Sequence, residues 1–303
     1  DNCHECCPDA LSGGDDDSVG NPKGVYCKDL DNDGEIVLTC GCFSAATTCP
    51  NGTCGGCCRV EDCYLDVFGT GPVDTGLHGA ISAGPARNRI YFGYGTNADG
   101  VLQIVDRRKL LEGPREPTAA NLLHPQVGRL DLPPTLGAHT TFPILAVDVP
   151  EFARDRVGSK RDFVLIVNEA LASHCGEARQ MAWLADVTAE SRPMIVSGWT
   201  VRESSGNFCS RGRFGAHASN ESFTPIYYRR LVFISFFNAG VRAVDIRDPY
   251  RPTEVAYFIP EGNPLTNNVE VDSRGYIYIV DRGGLGMHIL ALTGEARKIA
   301  NWR

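Results

Sequence analysis

The sequence has no long apolar run and no excess of basic residues. A transmembrane helix needs roughly 18 consecutive apolar residues, whereas Leu231 to Phe237, among the longest apolar runs, is only as long as a β-strand. The chain carries 29 basic and 37 acidic residues, a net charge of −8 at pH 7. Because nucleic-acid binding requires a basic surface that releases phosphate counterions, this balance argues against it. We therefore expect no membrane span and no nucleic-acid partner.

Long apolar helical faces and the familiar catalytic motifs are scarce as well. The sequence contains no nucleophile elbow, phosphate loop or dinucleotide fingerprint. It does contain 33 glycines and 18 prolines, which favour turns between short strands. Cys175 to Ala185 is the strongest helical segment, although the second half of it is needed as a strand. The composition predicts an all-β fold.

Cysteine and charge are distributed very unevenly along the chain. Eleven of the thirteen cysteines lie within the first 63 residues, and only Cys175 and Cys209 follow. Residues 1–65 hold 12 acidic and 3 basic residues, so this stretch has a net charge of −9 and the rest of the chain is nearly neutral. We predict a cysteine-rich acidic module at residues 1–68 and a larger domain at residues 69–303.

The N-terminal module has too few aliphatic residues to bury a substantial core. Dense cysteine in such a stretch is typical of a disulfide framework in an oxidising compartment, which predicts an extracellular, periplasmic or cell-surface location. Zinc is the alternative, because Cys3-His4-Glu5-Cys6 and Cys54-Gly-Gly-Cys57 have ligand-like spacing. The odd count of eleven leaves one cysteine free, bonded elsewhere in the chain or bonded to another molecule, so an oligomer is one expectation.

The same module contains a pattern that resembles half of a calcium loop. Carboxylates alternate before a glycine, as in the first half of an EF-hand loop, at Asp29, Asp31, Asp33 and Glu35. The twelfth position is Cys40 rather than the usual bidentate glutamate, so any Ca²⁺ site would be a shorter, weaker extracellular type. An acidic turn without an ion is the alternative.

The larger domain is built from a repeated sheet unit. Each copy opens on a histidine or asparagine and continues through a strand, a hairpin and a second strand that usually ends in aspartate. The copies begin at His78, His139, His217 and Asn267, with intervals of 61, 78 and 50 residues. Sheet units of this length that recur along a chain are typical of the blades of a β-propeller, so at least four blades are predicted.

One copy carries a resemblance to a known family. Val241 to Pro252, VRAVDIRDPYRP, is similar to the LVIVD repeat, in which a strand ends in an aliphatic residue, valine and aspartate and is followed by Asp-Pro and a further proline. Gln103 to Asp106 and Leu184 to Val187 are weaker copies. The resemblance spans about residues 75–295 and implies a bacterial or archaeal propeller that is exported or at the cell surface.

Equivalent positions on propeller blades converge on the central channel, where such proteins bind ions or small ligands. Here those positions hold His78, His139 and His217, and three imidazoles could bind copper or zinc. The arrangement is loosely similar to the selenium-binding protein family, which implies copper-linked oxidation. The alternative is that these histidines only bond to backbone carbonyls and channel water.

A second group of residues lies around the two late cysteines. If Cys175 and Cys209 meet, we expect a disulfide between blades, with a thiolate–imidazole metal site as the alternative. The loop from Ser204 to Glu221 is unusually polar, and long polar loops on a rigid scaffold often bind ligands. Its predicted binding residues are charged or amide side chains, namely Arg211, Arg213, Asn220 and Glu221.

Two functions follow from these patterns. The first is a non-catalytic propeller that binds a protein partner or assembles at the cell surface, with the disulfide-rich module as a docking element. The second is a metal-dependent oxidoreductase that uses the channel histidines. The fold is more specific than the activity in such repeats, so neither function follows from the propeller alone.

Overall fold

The computed structural model describes most of the chain after residue 75. Side chains and backbone are described for 76–96, 99–116, 118–149 and 159–302, and two short strands nearer the start are described by their backbone. The chain divides into two compact units, Asp1–Gly76 with Gly113–His124, and Leu77–Glu112 with Pro125–Arg303.

In the first unit, β1 (Val25–Tyr26) pairs antiparallel with β2 (Gly41–Cys42). The predicted calcium loop, with Asp29, Asp31, Asp33 and Glu35, lies outside the described residues, as do the disulfides or zinc ligands of the N-terminal module. The predicted domain boundary after residue 68 lies there too. These stay predictions.

The second unit is a β-propeller, with four antiparallel sheets among its described residues. Blade 1 contains β3 (Leu77–Ser82), β4 (Arg89–Tyr94), β5 (Val101–Asp106) and β6 (Gln126–Asp131). Blade 2 contains β7 (Thr140–Asp148), β8 (Lys160–Val167), β9 (Ala182–Asp186) and β10 (Met194–Trp199). Blade 3 contains β11 (Leu231–Ser235), β12 (Val241–Asp245) and β13 (Thr253–Phe258). Blade 4 contains β14 (Thr266–Val271), β15 (Ile277–Asp281) and β16 (Met287–Leu290).

Apolar strands with two buried faces hold the blades together. In β8, alternate side chains point to opposite sides. Phe163 and Leu165 pack in the core between blades 2 and 3, whereas Val164 and Ile166 pack in the core between blades 1 and 2. All four side chains are at most 2% exposed. A continuous apolar run therefore serves two interfaces at once, which explains why these strands do not show the apolar–polar alternation of a half-exposed sheet.

An irregular inner segment completes blade 3. Ser219 bridges to Ile234, and the backbone N–H of His217 donates to the carbonyl of Ser235 over 3.0 Å. The Ser235 hydroxyl also bonds to the backbone of Ala218, at 3.1 Å. This side chain takes part in the pairing, and the segment from 217 to 220 occupies the innermost position that β3, β7 and β14 occupy in the other blades.

The described helices are all short. They are α1 (Gly84–Arg87), α2 (Arg107–Glu112), α3 (Ala119–Leu123) in the first unit and α4 (Gly294–Ile299). The helix expected in the first half of Cys175 to Ala185 is wrong, since residues 175–181 form a turn, a bend and irregular backbone, whereas the strand expected in the second half is confirmed by β9, which begins at Ala182. His174 and Cys175 have φ values of +57° and +55°, which a right-handed helix cannot accommodate. No helix among the described residues is long and apolar enough to cross a bilayer.

Candidate metal centre in the channel

The innermost strands of the four blades bring a set of polar side chains together. His78 lies on β3, His139 directly precedes β7, His217 opens the inner segment of blade 3, and Asn267 lies on β14. The imidazole centroids of His78 and His139 are 3.8 Å apart, and those of His139 and His217 are 4.3 Å apart. The three rings therefore form a continuous stack, with His78 exposed and the other two buried.

A carboxylate that the repeat pattern does not predict lies against this stack. Glu169 follows the end of β8 and is 6% exposed. Its Oε2 lies 3.9 Å from Nε2 of His139, and its Oε1 lies 3.4 Å from Nε2 of His217. One buried carboxylate thus faces two buried imidazoles. His78, His139 and Glu169 each offer one ligand atom, and these three atoms all lie within 4.8 Å of one another.

Arg213 holds this carboxylate in position. Its Nη2 donates to Oε1 of Glu169 over 2.8 Å, and its Nε donates to the carbonyl of Ala170 over 2.5 Å. The guanidinium lies 4.1 Å from the ring centroid of Phe237, a cation–π contact. Arg213 thus engages Oε1, which leaves Oε2 directed towards His139.

The tautomer of His217 follows from its backbone partner. Nδ1 lies 2.6 Å from the carbonyl oxygen of Asn267, which can only accept a hydrogen bond. Nδ1 therefore carries the proton, and Nε2 of the neutral ring presents a lone pair to Oε1 of Glu169. Two acceptors at 3.4 Å repel each other unless a proton or a cation lies nearby. Arg213 already supplies a positive charge to Oε1, so a further cation would be placed at Oε2, on the side of His139.

Burial is the largest cause of the pKa shifts of the buried histidines and of Glu169. It lowers the pKa of His139 to about 2, with smaller contributions from His217, His78 and Arg213, and it lowers the pKa of His217 to about 4. Burial raises the pKa of Glu169 to about 7, although Arg213 opposes this shift. The two imidazoles are thus neutral at pH 7, so their contacts with Glu169 are not ion pairs. Neutral imidazole is also the form that ligates metals.

Two loops support the site from one side. In the loop after Glu169, the carboxylate of Glu177 accepts the backbone N–H groups of Leu171 and Ala172 at 2.7 and 2.8 Å. The predicted disulfide between Cys175 and Cys209 is confirmed, and it joins this loop to the 3₁₀ turn that precedes Arg213.

The segments on either side of the bridge also pair with each other. Ser173 forms a β-bridge with Arg213, and His174 donates its backbone N–H to the carbonyl of Gly212. With Cys175 and Cys209 in a disulfide, the alternative thiolate–imidazole site does not form. The loops thus fix the segment that carries Arg213.

The other predicted binding residues do not converge on the channel. Asn220 is 1% exposed, and its Oδ1 accepts the backbone N–H of Phe233 over 2.8 Å, which is a structural role. Arg211 donates to the carbonyl of Gly262 over 3.2 Å. The backbone N–H of Glu221 donates to Glu270 over 3.0 Å. Of the four, only Arg213 contacts the site.

The distances fit a metal ion of zinc-like size after a small adjustment. Ligand atoms about 2.1 Å from a tetrahedral ion lie about 3.4 Å apart. The 3.9 Å between Glu169 and His139 and the 4.8 Å limit for the whole group require contractions of roughly 0.5 to 1.4 Å. Side-chain rotation of the exposed His78 can bring its own ligand atom closer, whereas the remaining 0.5 Å must come from a small shift of His139 or Glu169.

Glu169 was not predicted because it follows the end of β8 and lies outside the repeated strand pattern. The only signal is the polar pair Asn168-Glu169, directly after the five apolar residues of β8. Asn168 is fully buried and accepts the Trp183 indole N–H over 2.7 Å. Polar residues that end a buried strand at the channel side of a blade are therefore informative.

Comparisons with known proteins add little about activity. Neither a protein-family model nor a curated protein matches the chain. Among solved structures, the periplasmic gluconolactonase PpgL of Pseudomonas aeruginosa is 11% identical, with a TM-score of 0.48, over 73% of this chain and 51% of that chain. The Dos1 propeller is 11% identical, with a TM-score of 0.39, over 72% of this chain and 48% of that one.

Apo AztD from Citrobacter koseri is 10% identical, with a TM-score of 0.33, over 72% of this chain and 47% of that one. The chain spans about half the length of these structures. At such identities a likeness concerns the fold alone.

Proposed function

We propose that the channel binds a divalent transition-metal ion through His78, His139 and Glu169, and that the protein is a metal-dependent enzyme. The observation that carries the proposal is the position of Glu169, whose carboxylate lies against two neutral imidazoles and is directed by Arg213. Burying a carboxylate is costly unless it is paired. Arg213 and, at 3.9 Å, Arg282 both approach Oε1 of Glu169, which leaves Oε2 as the oxygen available to an ion.

The donor set narrows the choice of metal. Two imidazoles and one carboxylate suit zinc or iron(II), whereas copper(I) prefers thiolates or thioethers. Three protein ligands leave one or more coordination positions open, as in catalytic rather than structural sites. When bound, such an ion would activate a coordinated water or polarise a small oxygen-containing ligand. Zinc would support hydrolytic chemistry, and iron or copper would support the predicted oxidoreductase.

The residues of this chain have separate roles in the proposal. His217 keeps its Nδ1 proton on the Asn267 carbonyl, and its Nε2 lone pair faces Oε1, so it adds a second acceptor beside the site and is not one of the three proposed ligands. Arg213 fixes Oε1 and leaves Oε2 for the ion. The exposed His78 lies at the accessible end of the imidazole stack, where a ligand from solvent would approach.

The experiment is metal analysis of the purified, oxidised protein. We expect about one zinc or iron ion per chain and its loss in Glu169→Gln and in His139→Asn. His288→Asn is the matched control, because His288 lies on β16 and contacts Phe258 rather than the channel residues. Zinc in hundredfold excess over Kd should also raise the unfolding free energy of the wild type by about 2.7 kcal/mol, but not that of Glu169→Gln.

The cysteine-rich N-terminal module can bind zinc when its thiols are reduced, so the difference between variants is the decisive readout. Equal metal content in the wild type, Glu169→Gln and His139→Asn would exclude the channel as the site. The first function predicted from the sequence, a partner-binding or assembly protein at the cell surface, stays a prediction, as do the LVIVD relationship, the exported location and an oligomer through the odd cysteine.

A further inference from the structure

A second cavity in the propeller is lined by none of the channel residues. It lies between the ends of strands β7 and β8 and the turn that follows Phe223, and it has a volume of about 460 Å³. Cavities of roughly 300 to 1,000 Å³ accommodate small organic ligands. The cavity is therefore large enough for a ligand with a single ring and its substituents.

The lining of this cavity is strongly basic. Its four cationic residues are Lys160, Arg229, Arg230 and Arg247, and Asp148 is the one carboxylate among the described residues that line it. Arg247 is occupied by Asp245, at 2.7 Å. Lys160 and Arg229 are exposed. A concave surface with this excess of positive charge concentrates anions, because the low-dielectric walls focus the field.

An aromatic wall lies beside the cations. Phe223 is 39% exposed, an unusual state for a large apolar side chain. Its ring is held 5.1 Å from the ring of Phe142 and 5.3 Å from that of Tyr228, measured between centroids. The ring is thus supported on its inner side and open towards the cavity. A flat apolar group of a ligand can cover it and remove that apolar area from water.

The backbone around the cavity is held in unfavourable conformations. Ala146 and Arg229 both line it and have φ values of +55° and +66°, a region that costs non-glycine residues about 1–3 kcal/mol each. The N–H of Leu145 donates to the Tyr228 hydroxyl over 2.9 Å, and the N–H of Ala146 donates to Asp162 over 2.6 Å. These bonds keep the bulge of β7 open, so the cavity wall is a fixed part of the fold.

We propose that this cavity binds a small aromatic anion, with its carboxylate or phosphate on Lys160 and Arg229 and its ring on Phe223. The charge, the half-exposed ring and the volume together select this ligand class. A purely apolar ligand would make no use of the exposed Lys160 and Arg229, and a bare inorganic anion would leave the ring uncovered. The site does not depend on a metal in the channel.

Calorimetric titration of the full chain with phenyl phosphate and with benzoate tests the proposal. We expect saturable binding of at least one of them, and binding of inorganic phosphate and of benzyl alcohol that is about tenfold weaker or absent, because each lacks half of the contacts. The comparison of phenyl phosphate with benzoate identifies which anion the site prefers. Raising the salt concentration should weaken binding, since the cations are exposed.

Variants separate this site from general anion attraction. Lys160→Gln with Phe223→Ala should weaken binding by about tenfold or more, whereas the exposed Arg251→Gln should leave it unchanged. Arg229→Gly should also weaken binding, yet raise the melting temperature, since glycine adopts a positive φ without strain. Absence of saturable binding by the wild type, or equal weakening in Arg251→Gln, would overturn the proposal.

Discussion

The Cys175–Cys209 disulfide allows a quantitative prediction for propeller stability. The two residues are 34 positions apart, so the bridge closes a loop of that length in the unfolded chain. Loop-closure entropy for such a length corresponds to about 3.8 kcal/mol at 25 °C. The double variant Cys175→Ser/Cys209→Ser removes this restriction on the unfolded state. We expect its unfolding free energy to fall by about 2–4 kcal/mol.

The folded state should change little in that variant. Cys175 is exposed and Cys209 is half-buried, so serine fits at both positions without a buried unsatisfied hydroxyl. The segments also remain joined by the Ser173–Arg213 bridge and by the 2.8 Å bond from the His174 N–H to Gly212. The lost stability should therefore come mainly from the greater freedom of the unfolded chain.

Urea unfolding followed by tryptophan fluorescence is the appropriate assay. All three tryptophans, Trp183, Trp199 and Trp302, belong to the second unit, so the signal reports on the propeller rather than on the cysteine-rich module. Each single serine variant should lose as much stability as the double variant, because either one opens the loop. A loss below about 1 kcal/mol in all three variants would refute the reasoning.

Two further predictions concern a turn and a buried tyrosine. Gly240→Ala should lower the unfolding free energy in urea by more than about 2 kcal/mol, because a Cβ at this position would lie 2.1 Å from the Phe258 carbonyl oxygen. Gly284→Ala is the control: its Cβ would meet open space, so it should cost only about 1–2 kcal/mol of positive-φ strain. Equal losses in the two variants would refute this reasoning. Burial raises the pKa of Tyr227 to about 12, so its stabilising contribution is complete below pH 10 and declines from pH 10 to 12. The difference in unfolding free energy between the wild type and Tyr227→Phe should shrink over that range, and a constant difference would contradict it.

The strands could be predicted because each one is a short apolar run between turn residues, a local pattern that also indicates which side chains are buried. The repeat pattern predicts strands at Arg89 to Tyr94, Gly100 to Asp106 and Val241 to Ile246, and β4, β5 and β12 lie within one residue of them. Such β-branched and aromatic runs end at glycine, asparagine or Asp-Pro turns. The helices were harder. α2 follows directly after Asp106 and lasts six residues, too short for an apolar period to be visible.

The predicted helix at Cys175 failed for a different reason. Its sequence has good helix formers, but the disulfide and the left-handed conformations of His174 and Cys175 determine the path of the backbone. Tertiary restraints of this kind override local propensity. The same cysteine was correctly expected to form the bridge, so of two predictions about this residue one is confirmed and the other is wrong.

The candidate site contains residues that the blade repeat does not predict. A blade repeat predicts that His78, His139 and His217 occupy equivalent positions, because the same backbone position recurs in each blade. It does not predict Glu169 or Arg213, since each lies in a connection that differs between blades. These two residues are 44 positions apart and meet only because their loops are joined beside the channel.

The irregular connections are thus what distinguish this channel from a ring of structural histidines. Without Glu169, hydrogen bonds to the Asn267 carbonyl and the Thr140 hydroxyl would account for the two buried imidazoles. With Glu169, the lone pair on Nε2 of His217 faces Oε1 at 3.4 Å. Oε2 lies 3.9 Å from Nε2 of His139, which is too far for a hydrogen bond. A cation relieves these contacts, but so does a water that donates one hydrogen to each acceptor, and so does a proton on Glu169, whose pKa burial raises to about 7. The metal content of the wild type compared with that of Glu169→Gln therefore distinguishes a bound cation from channel water or a proton.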